Sequence, residues 1–149
     1  RFFSDIFLHL RNFFFFFHCI KCIDSGTVAR VEFLLLGVGN VSKHKKLCHG
    51  DFQPSNVIIK ADGTPYIVDW SHATQGNGSA DAARTYLIFK LQEREELAEK
   101  YLKTFCAKTD TAIQYVQRIL PIVAASQSVK GKAEEKKFLD KWVNVCDWQ

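Results

Sequence analysis

His49-Gly50-Asp51-Phe52-Gln53-Pro54-Ser55-Asn56, followed after a short apolar stretch by Asp69-Trp70-Ser71, is the part of the chain whose reading decides the rest. A step of five separates Asp51 from Asn56. Between Asn56 and Asp69 lie two β-branched and aromatic runs, Val57-Ile58-Ile59 and Tyr66-Ile67-Val68, joined by Ala61-Asp62-Gly63-Thr64. Such runs on either side of turn-forming residues predict a short hairpin. Two carboxylates and an amide are therefore set around one hairpin. Taken singly, an Asp near a turn is most often a cap or an Asx-turn residue, and an Asn a loop amide. Their recurrence in this order and spacing argues for a shared chemical task.

Phosphoryl transfer from a nucleotide needs a carboxylate to orient or deprotonate the acceptor hydroxyl, and oxygen ligands for the Mg²⁺ that bridges the phosphates. Asp51, Asn56 and Asp69 are groups of those kinds. Protein kinases carry H-R-D-x-x-x-x-N in the catalytic loop and D-F-G beyond it. Here His49, Asp51 and Asn56 keep the spacing of the first motif, and Asp69-Trp70-Ser71 stands where the second would be.

The stretch resembles the aminoglycoside phosphotransferase and choline kinase superfamily, whose catalytic lobes carry H-G-D-x-x-x-x-N, a strand–turn–strand, then D-W or D-F. Gly50, where protein kinases have Arg, favours the small-molecule branch. The continuation from Asp69-Trp70-Ser71-His72-Ala73 through Gly76 to Asp81-Ala82-Ala83-Arg84 is similar too, so the likeness covers about residues 47–128. The resemblance implies an α+β fold, the mainly helical C-terminal lobe of a protein-kinase-like fold with a short β-hairpin at the catalytic loop. It implies that Asp51 is the catalytic base or acceptor-orienting carboxylate, that Asn56 and Asp69 hold Mg²⁺ and with it ATP or GTP, and that His49 and Asp81 brace the loop. The acceptor it implies is a small hydroxylated molecule of the aminoglycoside, choline or sugar kind, cationic ones included. Gln53 and Ser55 depart from the His and Gly of many relatives, a change that tunes the acceptor site without removing a metal ligand.

Toward the N-terminus the text is irregular. Residues 1–40 form a Phe-rich segment with no clean period, and residues 41–149 are expected to be the catalytic lobe. The nucleotide in such enzymes lies under an N-terminal β-lobe with a phosphate-covering loop and a strand Lys. Gly37-Val38-Gly39-Asn40 is too close to the catalytic loop for that and reads as a connector, and Ser42 to Lys46 as a basic loop entering the site. The β-lobe is expected to be missing. With no Met and Arg1 at its start, the chain reads as a piece of a longer one. The rival reading is a truncated or inactive lobe that acts only as a binding module.

Composition narrows the field. At 149 residues, 47% hydrophobic and 24% charged, the chain matches ordinary globular usage and excludes disordered and collagen-like classes. The net charge of +4, from 20 Lys+Arg against 16 Asp+Glu, is too mild and dispersed to indicate a nucleic-acid partner. Arg11, His18, Lys21 and Asp24 interrupt the Phe13 to Phe17 region before the ~20 apolar residues a membrane span requires. Five Cys, an odd and scattered set, fit a reducing, cytoplasmic setting better than a disulfide scaffold. Cys19 and Cys22 with His18 offer at most half a zinc site.

Downstream the reading is helical. Gly76 to Ser79 reads as a flexible loop, Asp81 as the N-cap of a helix through Leu91, and Glu93 to Ala107 as a second helix. Asp110 reads as the cap of a third, which Pro121 should start, bend or end. A last helix over about 132–146 puts Phe138, Leu139, Trp142, Val143 and Cys146 on one face.

Overall fold

The computed structural model describes residues 45–130 and 132–143. The expectations for the Phe-rich segment, for Cys19 and Cys22, for Lys43, and for Cys146 lie outside the described residues.

Among the described residues two small antiparallel sheets precede four helices. β1 (Lys46–Cys48) pairs with β4 (Thr74–Gly76), with Lys46 opposite Gly76 and Cys48 opposite Thr74. The expected hairpin is present as β2 (Val57–Ile59) and β3 (Pro65–Ile67), with Val57 opposite Ile67 and Ile59 opposite Pro65. Its tip closes on itself. Gly63 N–H donates to Lys60 O at 2.9 Å, Lys60 N–H to Thr64 O at 3.0 Å, and Thr64 N–H to the Asp62 carboxylate at 2.9 Å. Gly63 has φ +84°, and a Cβ there would meet nothing within 4 Å, so the tip stands in open space. The β1–β4 pair corrects the expectation of a basic loop at Lys46 and a flexible loop at Gly76. Each strand has three residues, too few for an alternating pattern to be legible, and the partners come from opposite sides of the hairpin.

The helices are α1 (Gly78–Leu91), α2 (Glu95–Thr109), α3 (Ile113–Lys130) and α4 (Ala133–Val143). α1 is the centre of the packing. Its Ala83, Tyr86 and Phe89 join Ala98, Leu102 and Cys106 of α2 and Val116, Ile119 and Leu120 of α3 in one buried cluster. Leu87 of α1, Ala124 of α3 and Leu139 of α4 form a second, which seats the last helix. Burial of such side chains, worth roughly 1.5–3 kcal/mol each, supplies most of what holds short helices together.

The ends of the helices differ from the sequence reading. Asn77, not Asp81, caps α1: its side-chain oxygen accepts from Ser79 N–H at 2.8 Å. Asp81 lies in the first turn, and its carboxylate is used elsewhere. α1 stops in a Schellman arrangement, with Arg94 N–H bonded to Phe89 O and Glu93 N–H to Lys90 O, and Glu93 in the left-handed region at φ 58°. Asp110 ends α2 instead of starting α3, at φ 50° with its N–H on Cys106 O. Pro121 lies inside α3 rather than at an end. Among the described residues no helix is long and apolar enough to cross a membrane.

Candidate functional site

The loop from His49 to Asn56 leaves β1 and enters the hairpin through a single 3₁₀ turn, Pro54–Asn56. Proline suits its first position because its φ is preset and its missing N–H would have no partner there. Asn56 N–H closes the turn on Gln53 O at 2.9 Å, and Val68 N–H bonds to Asn56 O at 2.9 Å, fixing the loop to the far strand of the hairpin.

Side chains from α1 and from the loop itself hold the loop in place. Asp81 reaches from the first turn of α1 and accepts the backbone N–H of His49 at 2.7 Å and of Gly50 at 2.9 Å, one on each carboxylate oxygen. Buried His49 engages both ring nitrogens: Nδ1 accepts from Asp51 N–H at 3.3 Å and Nε2 donates to Val68 O at 2.9 Å. The accepting Nδ1 assigns the proton to Nε2. The Trp70 indole packs on this imidazole, centroids 4.6 Å apart, with its own N–H on Ile67 O. From one turn further along α1, Thr85 donates to Phe52 O at 2.7 Å. Gly50 sits at φ +79°, and a Cβ there would lie 2.5 Å from His72 O. No side chain fits.

The Asp51 carboxylate, about one-fifth exposed, faces a ring of N–H donors. Gln53 donates to Oδ2 at 3.0 Å and Asn56 to the same oxygen at 3.3 Å, while Arg84 of α1 donates to Oδ1 at 3.3 Å. Asn56, itself buried, also donates to Asp51 O at 2.8 Å. Because its Nδ2 is turned to Asp51, its Oδ1 is turned away and is left as the oxygen donor of that side chain. Asp69 stands at the other end of the hairpin in the left-handed region, φ 58° and ψ 61°, opening the 3₁₀ turn Trp70–His72. Its carboxylate is exposed and accepts from Ser71 Oγ at 2.7 Å; this bond holds its pKa below the ordinary 3.8, so it is ionised at neutral pH. The structure brings Asp51, Asn56, His49 and Asp81 into one hydrogen-bonded unit. Among the described residues Asp69 makes no hydrogen bond to Asp51 or Asn56.

The donors fit a hard cation: an amide oxygen and an ionised carboxylate are the ligand types Mg²⁺ takes, and it retains waters in its remaining positions. Among the described residues there is no group of three or more His, Cys, Asp and Glu that would hold a softer metal.

Arg84 is the residue whose role the sequence reading missed. It was legible as part of the Asp81-to-Arg84 stretch, and the signal was its spacing: Asp81, Arg84 and Thr85 are i, i+3 and i+4, one face of α1, and all three bond to the loop. Glu95 and Glu99 ion-pair with Lys90, and Glu99 also accepts from Tyr86 OH at 2.8 Å. They join α1 to α2. Burial, and next the Asp81 charge, push the Cys48 thiol up and away from reactivity.

A sequence model of the phosphotransferase enzyme family matches residues 28–115, more than half of the chain and the whole of the loop, hairpin and first two helices. No curated protein and no solved structure matches the chain.

Proposed function

From the premise that the chain belongs to the phosphotransferase enzyme family, we propose that it serves the transfer of a nucleotide's γ-phosphoryl group to a hydroxyl of a small molecule, on the catalytic lobe of a kinase-like fold. The observation that carries this reading is the position of Asp51: a partly exposed carboxylate, held from three sides, in contact with an Asn whose oxygen faces away from it. An ionised carboxylate offers about four acceptor positions. Gln53 and Asn56 occupy two on Oδ2, and Arg84 occupies one on Oδ1. The free position on Oδ1 is where the acceptor hydroxyl docks and where its proton is received as the oxygen attacks.

His49 and Asp81 take no part in proton transfer. They fix the backbone that carries Asp51, so that the carboxylate meets the hydroxyl in one orientation; catalysis of this kind is largely positioning and electrostatics. Asn56 Oδ1 and the Asp69 carboxylate would hold Mg²⁺, and Asp69 is ionised for that task. The ion, when bound, neutralises charge on the phosphate oxygens. ATP or GTP is the phosphoryl donor.

The test is nucleotide binding by the full chain, followed by calorimetry with MgATP and MgGTP, and with Asp69→Asn beside the unaltered protein. Heat of binding that requires Mg²⁺ and falls at least tenfold in affinity with Asp69→Asn supports the metal assignment. Phosphoryl transfer is then sought with hydroxylated acceptors, and Asp51→Asn should abolish it while leaving nucleotide binding in place. A folded chain that binds nucleotide equally with and without Mg²⁺, or equally with Asp69→Asn, overturns the metal assignment. Binding without transfer to any acceptor favours a ligand-binding lobe instead.

A further inference from the structure

The Asp51 carboxylate is connected to the far side of the helix bundle by a directional chain of hydrogen bonds. Arg84 Nη2 donates to Asp51 Oδ1 at 3.3 Å, Arg84 Nη1 to Gln127 Oε1 at 3.2 Å, and Gln127 Nε2 to Glu135 Oε2 at 3.3 Å. The members stand on four different pieces of the fold: the loop, α1, α3 and α4. The amide of Gln127 has one orientation that serves both neighbours, oxygen toward the guanidinium and NH₂ toward the carboxylate. Arg84 Nε is buried without a partner, so the two Nη groups carry all the hydrogen bonds this guanidinium makes among the described residues. A planar fork committed at both tips is fixed in rotation, which a single ammonium would not be.

We infer that Arg84 is a positioning residue for Asp51, itself oriented by Gln127 and Glu135, so that the packing of α3 and α4 sets the direction in which the carboxylate offers its free acceptor position. This rests on the reading of Asp51 as the carboxylate that orients the acceptor hydroxyl. Stability is a poor explanation for the pair, since Arg84 and Asp51, 26% and 19% exposed in their side chains, form a partly buried ion pair whose attraction is offset by the cost of taking both charges out of water. The arrangement instead removes the freedom of a group whose direction matters.

The test uses the full chain without nucleotide or metal and reads the side-chain amide resonances of Gln53 and Asn56, both of which donate to Asp51 Oδ2. Gln127→Leu alters α3 and touches neither amide. It should shift both resonances in the unaltered background and shift neither once Arg84→Met has removed the intermediate. Arg84→Lys, which keeps the charge and lacks the fork, should give the spectrum of Arg84→Met. Resonances that stay in place with Gln127→Leu, that move equally in the Arg84→Met background, or that keep their original positions with Arg84→Lys overturn the inference. Should Gln127→Leu fail to fold, Glu135→Ala removes the outermost acceptor and is read by the same criteria. Because nothing in this experiment binds nucleotide, its failure leaves the phosphotransfer reading intact, and a failed nucleotide titration leaves this result standing.

Discussion

At position 50 a single missing methyl group decides what the loop can be. Protein kinases place Arg between the His and Asp of this motif; here any Cβ would stand 2.5 Å from the His72 carbonyl, on a backbone at φ +79°. The close approach of the loop to the turn after β3 is therefore built on glycine. Gly50→Ala should lower stability by about 1–3 kcal/mol, seen as a lower urea midpoint, from left-handed strain together with the clash. Two positions along from Asp69, Ser71 sets an acid limit. A depressed carboxylate pKa means that the ionised form, and the stability tied to it, persists above the unfolded pKa and is lost only as the pH falls through the lower, folded value. Ser71→Ala removes the main cause and returns Asp69 toward 3.8. Mg²⁺-dependent nucleotide binding should then be unchanged at pH 7 but fail at a higher pH on acidification, a difference that calorimetry across acid buffers measures.

Among the elements, those with length or turn chemistry were legible in the sequence and those without were not. The hairpin declared itself through β-branched runs on both sides of Asp62-Gly63, and α2 and α4 through one-sided apolar spacing. α1 is buried on several sides, so its extent had to be inferred from its composition. The β1–β4 pair left no trace, since three residues carry no period and Lys46 and Gly76 meet only after the hairpin has formed between them. Asp81 and Asp110 both look like N-caps, because Asp is a favoured cap wherever a helix begins nearby. Three-dimensional contacts reassigned them, the first to the loop and the second to the end of α2. Of the candidate site, the placing of Asp51 and Asn56 beside one another was legible from their spacing, whereas Arg84 was hidden because an Arg on a helix reads as solvated surface until its partner is known. The end of α1 carries its own prediction. Glu93 holds the left-handed position that glycine occupies most readily in this motif. Glu93→Gly should raise stability by up to about 1 kcal/mol in urea denaturation, the relief of left-handed strain exceeding the backbone entropy that glycine adds to the unfolded chain.

For the whole molecule, the helices act as a frame behind a thin working edge. Two hydrophobic clusters, joined through α1 and α3, make the four helices one packed unit, and the loop is bonded to that unit through Asp81, Arg84 and Thr85. α4 is seated mainly through its apolar face, with Leu139 fully buried against Leu87 and Ala124 and Trp142 edge-on to Tyr86. Leu139→Ala should remove about 2–5 kcal/mol. Its denaturation curve should also show whether α4 leaves separately: a single transition means that the bundle melts together, and two mean that the last helix detaches first.

The tip of the hairpin offers something practical. Lys60 to Thr64 complete their own hydrogen bonds, and Gly63 stands with no neighbour on its outer side. A fluorophore or short epitope inserted there would ride on a self-closing turn, with β2 between it and Asn56. The protein thus carries a ready attachment point from which ligand binding could be watched by light without disturbing the residues being watched.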